Sequence, residues 1–65
     1  MPSSVVSKYH YDPYTYTLRI TFVSGMIYNY LDVPEEVYLA MKEAFSKGTF
    51  LNEKIKGNYE FEKVN

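Results

Sequence analysis

An α+β fold, a three-stranded antiparallel meander packed by one main helix and a short second helix, is predicted by three features of the 65-residue chain. Residues 17–23, TLRITFV, alternate apolar and polar side chains as a half-buried strand does. Ser24 and Gly25 then turn the chain into a second apolar run, MIYNYL. Residues 33–45, VPEEVYLAMKEAF, change to the three- and four-residue spacing of an amphipathic helix. The length suits a single domain, residues 1–65, with its ordered core over about residues 5–62.

The first strand is expected over residues 5–11, VVSKYHY, with Val5, Ser7, Tyr9 and Tyr11 on one face and Val6, Lys8 and His10 on the other. Asp12 and Pro13 suit the first two positions of the type I turn that follows. In the second strand Leu18, Ile20 and Phe22 point inward, while Thr17, Arg19, Thr21 and Val23 face water.

The register of the next strand depends on its turn, because a slip of one residue exchanges the two faces. A two-residue turn at Ser24 and Gly25 pairs Phe22 with Ile27 and leaves Tyr28 and Tyr30 in water beside Thr21 and Arg19. A three-residue loop from Val23 to Gly25 pairs Phe22 with Met26, Ile20 with Tyr28 and Leu18 with Tyr30. The second arrangement gathers six apolar side chains on one face and is favoured, although Ile27 and Leu31 then fit poorly. It puts Tyr28 and Tyr30 beneath the first helix.

Pro34 suits the first position of that helix, and Glu35 and Glu36 sit where the positive end of the helix dipole favours acids. Val37, Ala40, Met41, Ala44 and Phe45 form its buried stripe, with Lys42 and Glu43 outside. The segment SKGTFLNEKIKGN, residues 46–58, reads as the short second helix, capped by Ser46 or Thr49 and ended by Gly57. Phe50, Leu51 and Ile55 are its inward residues. The last alternation, YEFEKV, suits either a short C-terminal strand or an ordered tail.

Composition narrows the function classes. There is no cysteine, and the single His10 assembles no ligand set, so neither a metal nor a cofactor is expected. A net charge of −1 gives no bulk attraction to nucleic acid or to a membrane. The N-terminal MPSSVVSKYH lacks the basic start and apolar run of a signal peptide, and no stretch approaches the roughly 20 apolar residues of a membrane span. A cytoplasmic protein without membrane contact is the expectation. Glu35 and Glu36 are adjacent, so they diverge around the helix and cannot act as a facing acid and base. No nucleophile, base or metal set can be assembled, and the chain is not expected to be an enzyme.

Several segments stand in a recognisable order: YDP at 11–13, LRITFVSG at 18–25, YNYLDVPEEVY at 28–38 and SKGTFLNEKIKGNY at 46–59. Together they resemble the KTSC domain family, a module found alone in small bacterial and phage proteins and at the C-terminus of some lysyl-tRNA synthetases. The resemblance rests on Tyr28 and Tyr30 followed by Pro34, then Gly48, Phe50 and Ile55, and gives these six residues a structural role. The family's later segment reads Gly-Arg-Phe-Phe-Asn, then Ile-Arg and an aromatic. Here Thr49 replaces the first Arg, Leu51 the second Phe and Lys56 the second Arg. By analogy with the synthetase context the resemblance implies a non-catalytic binding module with RNA as its ligand, and the missing arginines weaken any grip on phosphate.

The residues offering ligand contacts on that reading are Arg19, Lys47, Asn52, Lys54, Lys56 and Tyr59, a modestly basic and aromatic surface around the second helix. Phosphate binding by so few cations is weak and salt dependent. Tyr28 and Tyr30 read as core residues with hydroxyls at the rim, and as a base-stacking platform only if exposed. The alternative function, from a different class, is a protein-interaction or homodimerisation module of phage or prophage origin, favoured by abundant aromatics without basicity.

Overall fold

The computed structural model describes residues 5–64 and shows a four-stranded antiparallel sheet with its helices on one face. The strands are β1 (Val6–Asp12), β2 (Thr17–Phe22), β3 (Ile27–Tyr30) and β4 (Phe61–Lys63), side by side in chain order. Between β3 and β4 come α1 (Glu35–Glu43) and α2 (Lys47–Phe50), which runs directly into a π-helical stretch over Leu51–Ile55. The α+β meander is as expected, and the C-terminal segment is a strand. The expected disposition of residues 1–4 and 65 lies outside the described residues.

The three-residue loop sets the register of β2 and β3. Leu18 faces Tyr30, Ile20 faces Tyr28 and Thr21 faces Ile27, while the Phe22 amide donates to the Met26 carbonyl at 2.8 Å. Gly25 takes φ 96°, and its amide closes the loop onto the Phe22 carbonyl at 2.9 Å. A side chain at that φ is strained, which is why the loop needs glycine here.

Strand β1 departs from strict alternation. Val6 pairs with Phe22 but Lys8 pairs with Thr21, so Ser7 is an extra residue and makes a β-bulge. The bulge brings Val6 to the inner face with Tyr9 and Tyr11, not to the face of Lys8 and His10. Beyond it, Tyr11 is buried opposite Leu18, and its hydroxyl donates to the Val33 carbonyl at 2.6 Å. The loop from Pro13 to Tyr16 is held by the Asp12 carboxylate, which accepts the Tyr14 amide, and by Tyr16 at φ 54°. The Tyr16 carbonyl in turn accepts the Val33 amide at 2.8 Å. Both backbone groups of Val33 are thus tied to the β1–β2 hairpin.

Pro34 is the N-cap of α1, one position earlier than expected, and Glu35 and Glu36 fill the first turn. The helix stops at Glu43, because Ala44 adopts an extended ψ of 138°. Of its expected stripe only Met41 is fully buried. Val37 and Ala44 are half-buried, Ala40 is exposed, and Phe45, beyond the helix end, is 90% exposed. What α1 adds instead is Tyr38, stacked on Tyr11 at 4.8 Å and set edge-on to Tyr9 at 6.1 Å. The first helix therefore covers the β1 side of the sheet.

The other side is closed by the second helical segment. Ser46 is its cap, accepting the Thr49 amide at 3.2 Å, and Gly48 is buried in the first turn. The Lys56 amide reaches back five residues to the Leu51 carbonyl at 2.8 Å, the widened turn of a π-helix. Leu51 and Ile55 are completely buried with Leu18, Ile20, Tyr30, Val33 and Met41. Burying each such side chain contributes about 1.5–3 kcal/mol, a large share of what a domain this small can hold. Lys56 is extended and Gly57, at φ 83°, redirects the chain toward β4.

Strand β4 pairs with β3, setting Phe61 opposite Tyr30 and Lys63 opposite Tyr28. The Leu31 amide to the Glu60 carbonyl and the Val64 amide to the Ile27 carbonyl extend the pairing at both ends. No helix among the described residues is long and apolar enough to cross a membrane.

Candidate nucleic-acid interface

The sheet divides the expected contact residues between two surfaces. Arg19 alternates with the buried Leu18 and Ile20, so it stands on the open face, where its Nε donates to Asn29 Oδ1 at 2.9 Å. Asn52, Lys54 and Lys56 lie on the helical side. One continuous patch joining Arg19 to the lysines does not form, because the sheet stands between them.

Two further candidates are engaged in structure. The Lys47 ammonium donates to the carbonyls of Ala44 at 2.8 Å and Lys42 at 3.0 Å, satisfying the end of α1 that its own helix leaves open. Tyr59 is half-buried against the core. Lys54 is exposed, and its carbonyl accepts Asn58 Nδ2 at 3.0 Å. Replacing Lys47 by Gln should accordingly lower the unfolding free energy by about 1–3 kcal/mol, through loss of charge-assisted hydrogen bonds to two carbonyls. Lys54→Gln should stay within about 0.5 kcal/mol. Equal effects of the two in urea denaturation would show that Lys47 is not a structural cap.

Asn52 and Lys56 border a groove of about 360 Å³ with Val5, Phe22, Met26 and Tyr28. Its position follows from the register: the Phe22–Met26 end of the β2–β3 hairpin meets the π-helical turn. Lys56 Nζ lies 5.7 Å from the centre of the Phe22 ring, within cation–π range. Phe22 meets Tyr28 edge to face at 5.3 Å, and Tyr28 is stacked on Phe61 at 5.1 Å. Tyr28 is only half-buried, whereas Tyr30 is 2% exposed. The two motif tyrosines thus differ: Tyr30 is core, and Tyr28 is the inner wall of a groove by the second helical segment, not beneath the first helix. None of the described lining residues forms a nucleophile and base pair, and what the groove offers is an aromatic wall, one cation, one amide and the Ser24 hydroxyl.

Residues 2–59 match the family model of the KTSC domain. The chain belongs to the KTSC domain family. A KTSC domain protein from Yersinia pestis has a crystal structure that superposes with a TM-score of 0.80 at 36% identity, covering 100% of this chain and 94% of that one. The chain is 41% identical over 61 residues to a lysine-tRNA ligase of Nostoc punctiforme, which covers 94% of this chain but only 11% of the ligase. A small protein from Stutzerimonas stutzeri is 39% identical over 56 residues, covering 86% of this chain and 79% of its own. The KTSC fold therefore occurs both as a small protein and as a segment matching a minor part of a tRNA ligase. Phe22 and Met26, which sequence reasoning assigned to packing alone, line the groove, and Phe61 backs its Tyr28 wall. The apolar alternation of β2 and of the tail was the available signal for them.

Proposed function

We propose that this KTSC domain is a non-catalytic binding module that receives an unpaired base of single-stranded RNA in the groove between the β2–β3 hairpin and the π-helical turn. The observation that carries this reading is the joint presence there of Tyr28, Phe22, Lys56 and Asn52. A half-buried ring offers stacking, the ammonium a phosphate contact and the amide a hydrogen-bonding edge. The similarity to a segment of lysine-tRNA ligases, proteins that handle RNA by name, supports the same ligand. With one cation at the groove, affinity is modest and falls steeply with salt.

The competing reading is a protein-interaction or homodimerisation module, and the observation in its favour is Phe45, 90% exposed just past the end of α1. Titrating labelled single-stranded RNA at low and moderate salt, with amide shifts followed and sizing run at several concentrations, separates the two. Shifts should cluster on Phe22, Tyr28, Asn52 and Lys56 and fade with salt, and Lys56→Gln should lower the salt slope by about one. Absence of shifts together with a concentration-dependent dimer would overturn the RNA reading.

A further inference from the structure

The uncovered face of the sheet carries a feature unrelated to the groove. Beyond the bulge at Ser7, Lys8 lies directly opposite Thr21 and His10 directly opposite Arg19. These four side chains form a two-by-two block, and with Tyr9 and Ile27 they line a hollow of about 300 Å³ to which no carboxylate of the described residues contributes. Lys8 and Arg19, two permanent cations on adjacent strands, stand diagonally across this block, and their mutual repulsion is relieved by an anion held between them. The nearest acid along β1, Asp12, borders an adjoining hollow that His10 and Arg19 also line, together with Thr15, Thr17 and Asn29. Its Oδ1 accepts the Tyr14 amide at 2.9 Å, and this single carboxylate offsets only one of the two permanent positive charges. On the far side Glu62 stands opposite Asn29, so Asn29 separates it from Arg19.

Arg19 is also oriented. Asn29 Oδ1 accepts from its Nε at 2.9 Å, which holds the guanidinium in place and leaves the Nη end for a ligand. A planar fork fixed at one edge, with an ammonium, an imidazole and a hydroxyl beside it, suits a tetrahedral oxyanion that accepts several hydrogen bonds at once. We propose that Lys8, His10, Arg19 and Thr21 bind a phosphate group on the open face of the sheet. The source is free phosphate or the phosphate of a nucleotide. The site lies on the opposite side of the sheet from the groove, so it holds or fails independently of RNA binding there.

The test follows amide and Arg19 Nε–H signals by NMR while inorganic phosphate is added, with sodium chloride at matched ionic strength as control and uridine monophosphate as a second ligand. Phosphate should produce saturable shifts on His10, Arg19 and Thr21 and none on Tyr28 or Lys56. Uridine monophosphate should reproduce them if nucleotide phosphate is accepted, and additional shifts on Tyr28 would report the groove separately. Arg19→Lys keeps the charge but loses the fork and should weaken binding about tenfold. Asn29→Ala should weaken it several-fold and move the Arg19 Nε–H signal in the ligand-free protein, as expected of a positioning residue. Lys54→Gln should change nothing. Identical shifts with chloride, or an Arg19→Lys variant that binds as well as the parent, would overturn the proposal.

Discussion

Tyr30→Ala should lower the unfolding free energy by about 3–5 kcal/mol, the range found when a buried aromatic is truncated and its cavity only partly collapses. A domain of this length holds roughly 3–10 kcal/mol in total, so the substitution should remove a large share of its stability. The ring is 2% exposed, lies opposite Leu18 on one side and Phe61 on the other, and meets Tyr28 at 6.4 Å and Phe61 at 5.7 Å. Tyr30→Phe should cost less than about 1 kcal/mol, because the Tyr30 hydroxyl bonds to no other described residue and is not among buried unpartnered atoms, so it reaches water, and the ring packing is kept. Urea denaturation followed by circular dichroism tests both variants. Similar losses from Ala and Phe would mean that the hydroxyl, not the ring, holds the strand.

Tyr11→Phe should behave in the opposite manner to Tyr30→Phe. Its hydroxyl donates to the Val33 carbonyl at 2.6 Å across 22 residues, joining β1 to the start of α1, and the lost donor leaves that carbonyl unsatisfied. The expected cost is about 1–3 kcal/mol. Burial pushes the phenol of Tyr11 above its ordinary value of 10.0, and the negative charges of Glu35 and Asp12 and the phenol of Tyr16 push it the same way. Tyr30 is raised too, chiefly by burial and secondarily by Tyr28. In the unfolded chain these groups release their protons near 10.0, while the folded protein still holds them. Above that pH the unfolded state binds fewer protons, so stability falls as pH rises and is insensitive to these groups below it. Unfolding midpoints measured at pH 7 and pH 11 should therefore drop for the parent and drop less for Tyr11→Phe. An unchanged pH dependence in that variant would remove Tyr11 as a cause.

The β2–β3 register was legible because two local signals agreed: the apolar alternation Leu18, Ile20, Phe22 and a glycine at the one loop position that takes positive φ. The bulge at Ser7 was not, since Val5 and Val6 are equally apolar and only packing against Phe22 selects which turns inward. The end of α1 was also hidden. Ala44 and Phe45 continue the helical spacing, and what stops the helix is Lys47, reaching back to the carbonyls of Lys42 and Ala44, with Ser46 capping the next segment. That contact reassigns a lysine that looked like a ligand contact. The π-helical turn leaves no mark in LNEKI, because Leu51 and Ile55 face inward in an α-helix as well. Separation of Arg19 from the lysines was in principle readable, since its alternation with Leu18 and Ile20 already places it on the other face.

Strand β4 has three residues, all exposed, and it joins a sheet whose other pairings close across loops of three and four residues. Its own pairing with β3 spans more than thirty residues of chain, so in folding it closes against a far larger loss of chain freedom. Such a strand is expected to detach before the rest of the sheet, which hydrogen exchange of the Phe61–Lys63 amides would report. Each detachment lifts Phe61 from Tyr28 and bares the second face of that ring. The aromatic wall of the groove then has two forms: a one-sided surface while the strand is seated, and a two-sided ring, able to be sandwiched, in the brief intervals when it is not.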